Sequence, residues 1–238
     1  MKKTILILSV LLLGCTTAQI NQTLGEVSEA IGGEKALTTL EVAEGLKEAL
    51  IKGISNGSDI ASQLDGYFKN PEIKIPFPQD VKRVEDAVRK IGLGSEVDKF
   101  VMTLNRGAED AAKEAKPIFI AAIKSMTIQD AWSILKGEDD AATQYLKRTT
   151  SGLLKEKFKP VIQNSLNKVN ATKYYGEIVT RYNQIPLVEK VNPELDDYAT
   201  DKAIEGLFVM IAKEEKEIRQ DPVARTTDIL KRVFGYNK

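Results

Sequence analysis

The chain has no histidine among its 238 residues. That absence removes several mechanisms at once. A Ser-His-Asp triad, a Cys-His pair and a zinc or haem site built on imidazole all need the ring nitrogen. Cysteine is nearly absent too. One residue, Cys15, cannot form an intrachain disulfide, so the fold must rest on its apolar core. Aromatic residues are 6% of the chain, and 34 Lys and Arg balance 34 Asp and Glu. A near-neutral surface has no bulk attraction for nucleic acid, which is not expected as a partner. Beyond the first 13 residues long apolar runs are missing. "PIFIAAI" and "GLFVMIA" fall far short of the roughly 20 residues that a membrane span takes.

What is present starts at the N-terminus. Met1, Lys2 and Lys3 precede "TILILSVLLLG", a short basic start and about eleven mostly apolar residues, the layout of a secretory signal peptide. The run ends in Gly14-Cys15. A small residue fits a peptidase site, and a thiol directly after it can be alkylated. The stretch resembles a bacterial lipoprotein signal, in which the cysteine becomes the diacylated first residue. Residues 1–14 are therefore expected to be removed, residues 15–37 to form a lipidated tether, and residues 38–238 to form a single helical domain. Loss of Lys2 and Lys3 from a neutral chain leaves a charge of −2. No aspartate follows Cys15, so the expected place is the outer membrane, facing the periplasm. The membrane is then a partner through the lipid.

The remaining pattern is helical. Val42, Leu46, Leu50 and Ile54 recur every four residues, and "SNGS" at 55–58 is expected to break their helix. "NPEIKIPFP" at 70–78 has three prolines in nine residues and cannot be a helix. Ile73 and Ile75 alternate with Glu72 and Lys74, which predicts an extended strap with one apolar edge. Val81, Val84, Val88 and Ile91 form a stripe that Gly92 stops, and Ser95 with Asp98 reads as a cap. An alanine-rich helix follows, to be kinked or broken at Pro117. Thr127 and Asp130 form a capping box. One helix is expected to begin with "EDD" (138–140), and a separate one over "LLKEKFKPVIQNSLNKV", bent at Pro160. Further helices are expected over "TKYYGEIVTRYNQI", from Asn192-Pro193, and over a last stretch carrying Ile229, Leu230, Val233 and Phe234. "LDDYATDKAIEGLFVMIAKEEKEIR" is strongly periodic. The class is all-α, an irregular multi-helix bundle or array with one proline-rich extended strap.

Six stretches also carry a resemblance: "GLKEAL" (45–50), "NPEIKIPFP" (70–78), "EAKPIF" (114–119), "DDAATQYLKRTT" (139–150), "DDYATDKAIEGLFVMIAKEEKEIRQDP" (196–222) and "VFG" (233–235). Their order and spacing resemble a domain-of-unknown-function family of exported bacterial proteins, from Leu40 to Gly235. The resemblance implies an envelope location and a helical domain. It brings no activity, so no catalytic residue follows from it.

Chemistry is sparse. Ser165 with Lys168 and Ser133 with Lys136 have serine-lysine spacing, but the companion motifs are missing, and chance accounts for them. Asp139, Asp140, Asp196 and Asp197 sit at expected helix starts, where carboxylates complement the helix dipole. With Arg148 they form a candidate binding site if the two helix starts converge, the guanidinium taking a carboxylate or phosphate. Tyr174, Tyr175 and Tyr182 suit a helix seam better than a ligand ring. "KEEKEIR" with Glu215 and Arg219 reads as a solvated face. No cofactor, metal or catalytic residue is expected. The expected function is a lipid-anchored helical binding or scaffold module with an envelope protein or an apolar ligand as partner. The alternatives are a carboxylate-dependent envelope hydrolase and a carrier of an apolar ligand.

Overall fold

A computed structural model describes residues 38–168, 170–184, 186–187, 190–191, 194–221 and 231–232. Cys15 with the signal and tether, Asn192-Pro193, and the last apolar stripe of Ile229, Leu230, Val233 and Phe234 lie outside the described residues.

The described residues are helical with no strand, so the all-α class holds. The helices are α1 (Thr39–Ser62), α2 (Lys82–Lys90, after a 3-10 turn over Gln79–Val81) and α3 (Gly94–Ala112). Then come α4 (Ala115–Lys124), α5 (Ile128–Leu135), α6 (Ala141–Asn167), α7 (Ala171–Tyr182) and α8 (Leu195–Gln220). They belong to one compact unit. Among the described residues no single helix is long and apolar enough to cross a membrane.

The core sits around α8, whose Ala199, Ala203, Leu207 and Ile211 are buried as their spacing predicts. α1 and α6 both run antiparallel to it. Asn56 reaches Glu214 and Gly53 faces Ile218 on one side. On the other, Ala142 meets Glu215 and Lys159 meets Asp197. The Phe119 ring of α4 packs edge-on against Phe208 of α8, centroids 5.7 Å apart.

Several boundaries differ from the sequence reading. "SNGS" does not end α1, which continues to Ser62. A Cβ at Gly57 would lie 3.5 Å from the Met210 backbone, so this glycine lets the α1 and α8 main chains approach. Asn56 donates to Glu214 Oε1 at 2.7 Å, and burial raises the Glu214 pKa. α6 is one helix of 27 residues instead of two. Its Pro160 is exposed, while Phe158 and Ile162 are fully buried on the other side and hold the helix through it. The Ser95–Asp98 cap does not form; Asp98 instead accepts from Arg89 Nη2 at 2.9 Å. Ile91 falls past the end of α2 and is exposed.

Other signals hold. Gly92 has φ +87° just after α2, the left-handed conformation a glycine adopts without strain. The helix breaks after Ala112 and restarts at Ala115, so Pro117 falls in the first turn of α4, where its N–H would have no helical partner anyway. The capping box at Thr127 and Asp130 is complete.

Glycine positions test this packing. A Cβ on Gly206 would stand 2.9 Å from Tyr67 Cε1 and 3.0 Å from Ile73 Cβ. Gly206→Ala is expected to cost about 1–3 kcal/mol through overpacking. Gly152 has open space around its Cβ position. Gly152→Ala is expected to stabilise by about 0.5–1 kcal/mol through helix propensity. Urea unfolding of the two variants checks both signs.

Candidate functional site

An extended segment inside a helical body has a problem that helices do not. Its N–H and C=O groups have no ladder partner, and buried ones must find another. The segment from Asp65 to Pro78 lies between α3 and α8. It is not extended throughout: residues 65–69 and 71–73 form turns that pair part of their own backbone, as in the bonds from Lys69 N–H to the Asp65 carbonyl at 3.1 Å and from Lys74 N–H to the Asn70 carbonyl at 2.8 Å, and the groups these turns leave need side chains. Ile73 and Ile75 are buried, as the alternation predicts, with Glu72 and Lys74 outside.

Two side chains of α3 supply the partners. Asn105, fully buried, accepts from the Ile75 N–H at 2.8 Å and donates to the Ile75 carbonyl at 2.8 Å and to the Val101 carbonyl at 2.7 Å. Glu109 Oε1, one turn later, accepts from the Tyr67 and Phe68 N–H groups, each at 3.1 Å. Its charge is matched by Arg106 Nη1 at 2.6 Å, and the same guanidinium holds Asp65. Asp65 has φ 70° and turns the chain into the strap. Hydrogen bonds from Lys69 and Arg106 hold its carboxyl below the usual carboxylate range.

α8 closes the other side. The Tyr67 hydroxyl donates to the Ala203 carbonyl at 2.6 Å, and burial, with the Glu109 charge nearby, pushes its pKa well up. The Tyr198 hydroxyl donates to the Pro76 carbonyl at 3.2 Å, and Lys213 pairs with Glu72 at 3.0 Å.

The strap thereby walls two clefts. The first, about 540 Å³, lies toward α8 and is lined by Ile73, Pro76, Tyr198, Lys202, Glu205 and Val209. The second, about 470 Å³, lies toward α2 and α3 and includes Phe68, Phe77, Val101, Lys82, Arg89 and Asp98. Lys74, Pro76 and Gln79 line both. Volumes of roughly 300–1,000 Å³ are typical of ligand sites.

The acidic residues singled out from sequence are placed elsewhere, and the two groups do not converge. Asp139 accepts from Gln220 at 2.8 Å and Asp140 from Gln144 at 2.7 Å. Asp196 and Asp197 meet on Lys159, at 3.5 and 2.8 Å, and Lys155 pairs with Asp201 at 2.8 Å. The aspartates raise both lysine pKa values, chiefly through hydrogen bonds. Because α6 and α8 are antiparallel, the pairs lie at opposite ends, roughly 28 Å apart at 1.5 Å per residue. Arg148 joins neither. It lies 5.5 Å over the Tyr145 ring, and its charge helps Thr127 lower the Asp130 pKa. Asp140 does not cap α6 either. Glu215 of α8 does, accepting from the Ala142 N–H at 2.9 Å and from the Thr143 N–H and hydroxyl at 2.8 Å each.

Glu215 is thus buried, and its partner Arg219 also donates to the Ile134 carbonyl at 2.8 Å, so this part of "KEEKEIR" is not a solvated face. Ser133 and Ser165 donate to helix carbonyls four residues back. Tyr175 is buried, and nothing is described of the Tyr174 and Tyr182 side chains.

A family model described as "Protein of unknown function (DUF4197)" matches residues 36–235. The chain belongs to the DUF4197 family. No curated protein and no solved structure matches it. The DUF4197 match spans the strap, its Asn105 and Glu109 clamps and both clefts. Sequence reasoning found the strap and missed the clamps. The available signal was register: Asn105 and Glu109 continue the four-residue spacing of Val101, an apolar position.

Asn105→Ala strands two backbone groups of Ile75 and is expected to cost roughly 2–4 kcal/mol in urea unfolding. The Asp65 pKa is lowered on folding, so its contribution is present above the unfolded value and fades as pH falls through the folded one. Asp65→Asn, which tolerates the same backbone, should flatten the loss of stability between about pH 5 and pH 2. An unchanged acid limb would remove Asp65 from the strap's support.

Proposed function

We propose that this DUF4197 chain is a lipid-anchored binding or scaffold module of the bacterial envelope, held through Cys15 at the outer membrane and facing the periplasm. The observation that carries the reading is the pinned strap. A segment fixed by buried side chains on two helices is a rigid wall, and rigid walls flanked by clefts suit recognition because little conformational freedom is lost on binding. The lipoprotein-like N-terminus supports the anchored location, since two acyl chains suffice for stable attachment.

The competing readings find less support. A hydrolase using paired carboxylates needs its two acids roughly 5–10 Å apart on one cleft. Asp139 and Asp140 are instead about a helix length from Asp196 and Asp197, and all four are engaged. A chamber for an apolar ligand along the alanine-rich helix has closely approaching backbones against it. A Cβ on Gly107 would lie 3.7 Å from Ile162 Cα, so α3 and α6 meet there nearly backbone to backbone.

Crosslinking in intact cells, with a tag after Lys238 and mass spectrometry of the attached species, tests the reading. A reproducible envelope protein crosslinked to the wild type and lost in Cys15→Ala is the expected result. Absence of any partner above background, with palmitate labelling also absent from the wild type, would overturn both the module and its anchor.

A further inference from the structure

Thr200 of α8 departs from what other hydroxyls in this chain do. A helical serine or threonine can turn its hydroxyl back to the carbonyl four residues earlier. Thr103, Ser133, Thr150, Ser151 and Ser165 all do so, at 2.6 to 3.2 Å. Thr200 has the Asp196 carbonyl in that place and does not use it. Its Oγ1 is buried and has no hydrogen-bond partner among the described residues.

The Asp196 side chain is in the same condition. It is 1% exposed, and Thr200 is 0% exposed. Lys159 of α6 reaches Asp196 Oδ2 at 3.5 Å and gives its shorter contact, 2.8 Å, to Asp197. Asp196 Oδ1 has no partner among the described residues. A carboxylate oxygen accepts, so Oδ1 calls for a donor, and a buried polar atom without one is costly. Residues four apart share a helix face, with Cβ atoms about 5–6 Å apart. Asp196 faces α6 through Lys159, and Thr200 follows on the same face one turn later. Tyr198, between them in the sequence, turns to Pro76 of the strap instead. Two bonds of about 2.5–3.0 Å through a single oxygen span the same interval as the two Cβ atoms.

We propose that an internal water sits in the α6–α8 seam, donating to Asp196 Oδ1 and accepting from the Thr200 hydroxyl. Both atoms are closed to bulk solvent, which shuts out a larger ligand. A divalent cation needs several oxygen ligands, and among the described residues no group of three or more His, Cys, Asp or Glu could hold a metal ion. A monovalent cation would meet the Lys159 ammonium already set against the same carboxylate. Water supplies the donor that Oδ1 needs and the acceptor that the hydroxyl needs, and interior waters take up buried polar groups of this kind. The inference goes beyond the binding-module reading and does not depend on where the chain is anchored. It gives this acidic helix start an occupant: water, in place of the carboxylate or phosphate that the sequence suggested.

A crystal structure of the full-length chain, grown from detergent at a resolution that shows ordered water, reads the site directly. The expected result is a water within about 2.5–3.0 Å of both Asp196 Oδ1 and Thr200 Oγ1. A direct bond between the hydroxyl and the carboxylate overturns the proposal. So does a Thr200 hydroxyl turned back to the Asp196 main-chain carbonyl, or a dry seam. Magnetic relaxation dispersion of water then counts long-lived internal waters in solution. The wild type should hold one more than Thr200→Val, which keeps the branched shape and removes the hydroxyl, and Thr200→Ser should keep the wild-type count. Equal counts in the wild type and Thr200→Val overturn the proposal as well. The wild-type crystal structure decides the matter even where a variant does not fold.

Discussion

A buried connecting segment packed among helices must have side chains satisfy the backbone groups that its own turns leave unpaired, and the rest of this structure follows from how that is done. Each buried amide or carbonyl left unpaired would cost about 1–3 kcal/mol. Asn105 serves both groups of Ile75, and Glu109 collects two successive N–H groups at the strap's start. With those bonds made, Ile73 and Ile75 enter the core, Gly206 has to stay small, and the Phe68 ring stands fixed beneath the Lys74 ammonium. The clefts are consequences of the strap, and the strap is a consequence of two polar residues on α3.

The same device appears at the other end of α8. The N-terminus of α6 has N–H groups without helical partners, and the carboxylate that takes them belongs to Glu215, some 70 residues along the chain. Arg219 neutralises Glu215 and ties in the last turn of α5 through the Ile134 carbonyl. One helix thus contacts the strap along part of its length and caps α6 near its end. With α8 antiparallel to α6, the two acidic pairs are kept at opposite ends, each with partners of its own.

The legible parts of the sequence were those governed by local chemistry. Three prolines near two alternating isoleucines excluded a helix and put Ile73 and Ile75 on one buried edge, although residues 71–73 close a turn instead of running extended. Thr127 with Asp130 could close a capping box without help, and Gly92 could end a helix alone. The α8 stripe followed from spacing. What failed depended on a distant surface. Gly57 looked like a breaker because its use is the close approach of Met210. Pro160 looked like a bend in a second, separate helix because Phe158 and Ile162, which anchor α6 on both sides of it, gain their hold only in the packed core. Asp140 looked like a cap, but Glu215 displaced it from that role. Asn105, Glu109 and Glu215 share one visible trait: each is polar at a position where the helical period calls for an apolar residue. That trait marks a buried polar group without naming its partner.

The central claim is that the strap is pinned as firmly as the core. Native-state hydrogen exchange of the Tyr67, Phe68 and Ile75 amides tests it most directly, because each of these N–H groups is held only by an α3 side chain. The account predicts that they exchange as slowly as the Leu207 amide in the middle of α8, through openings close to global unfolding. Exchange of these three at the rate of an exposed turn, with Leu207 still protected, would mean that the strap opens by itself and would contradict the account.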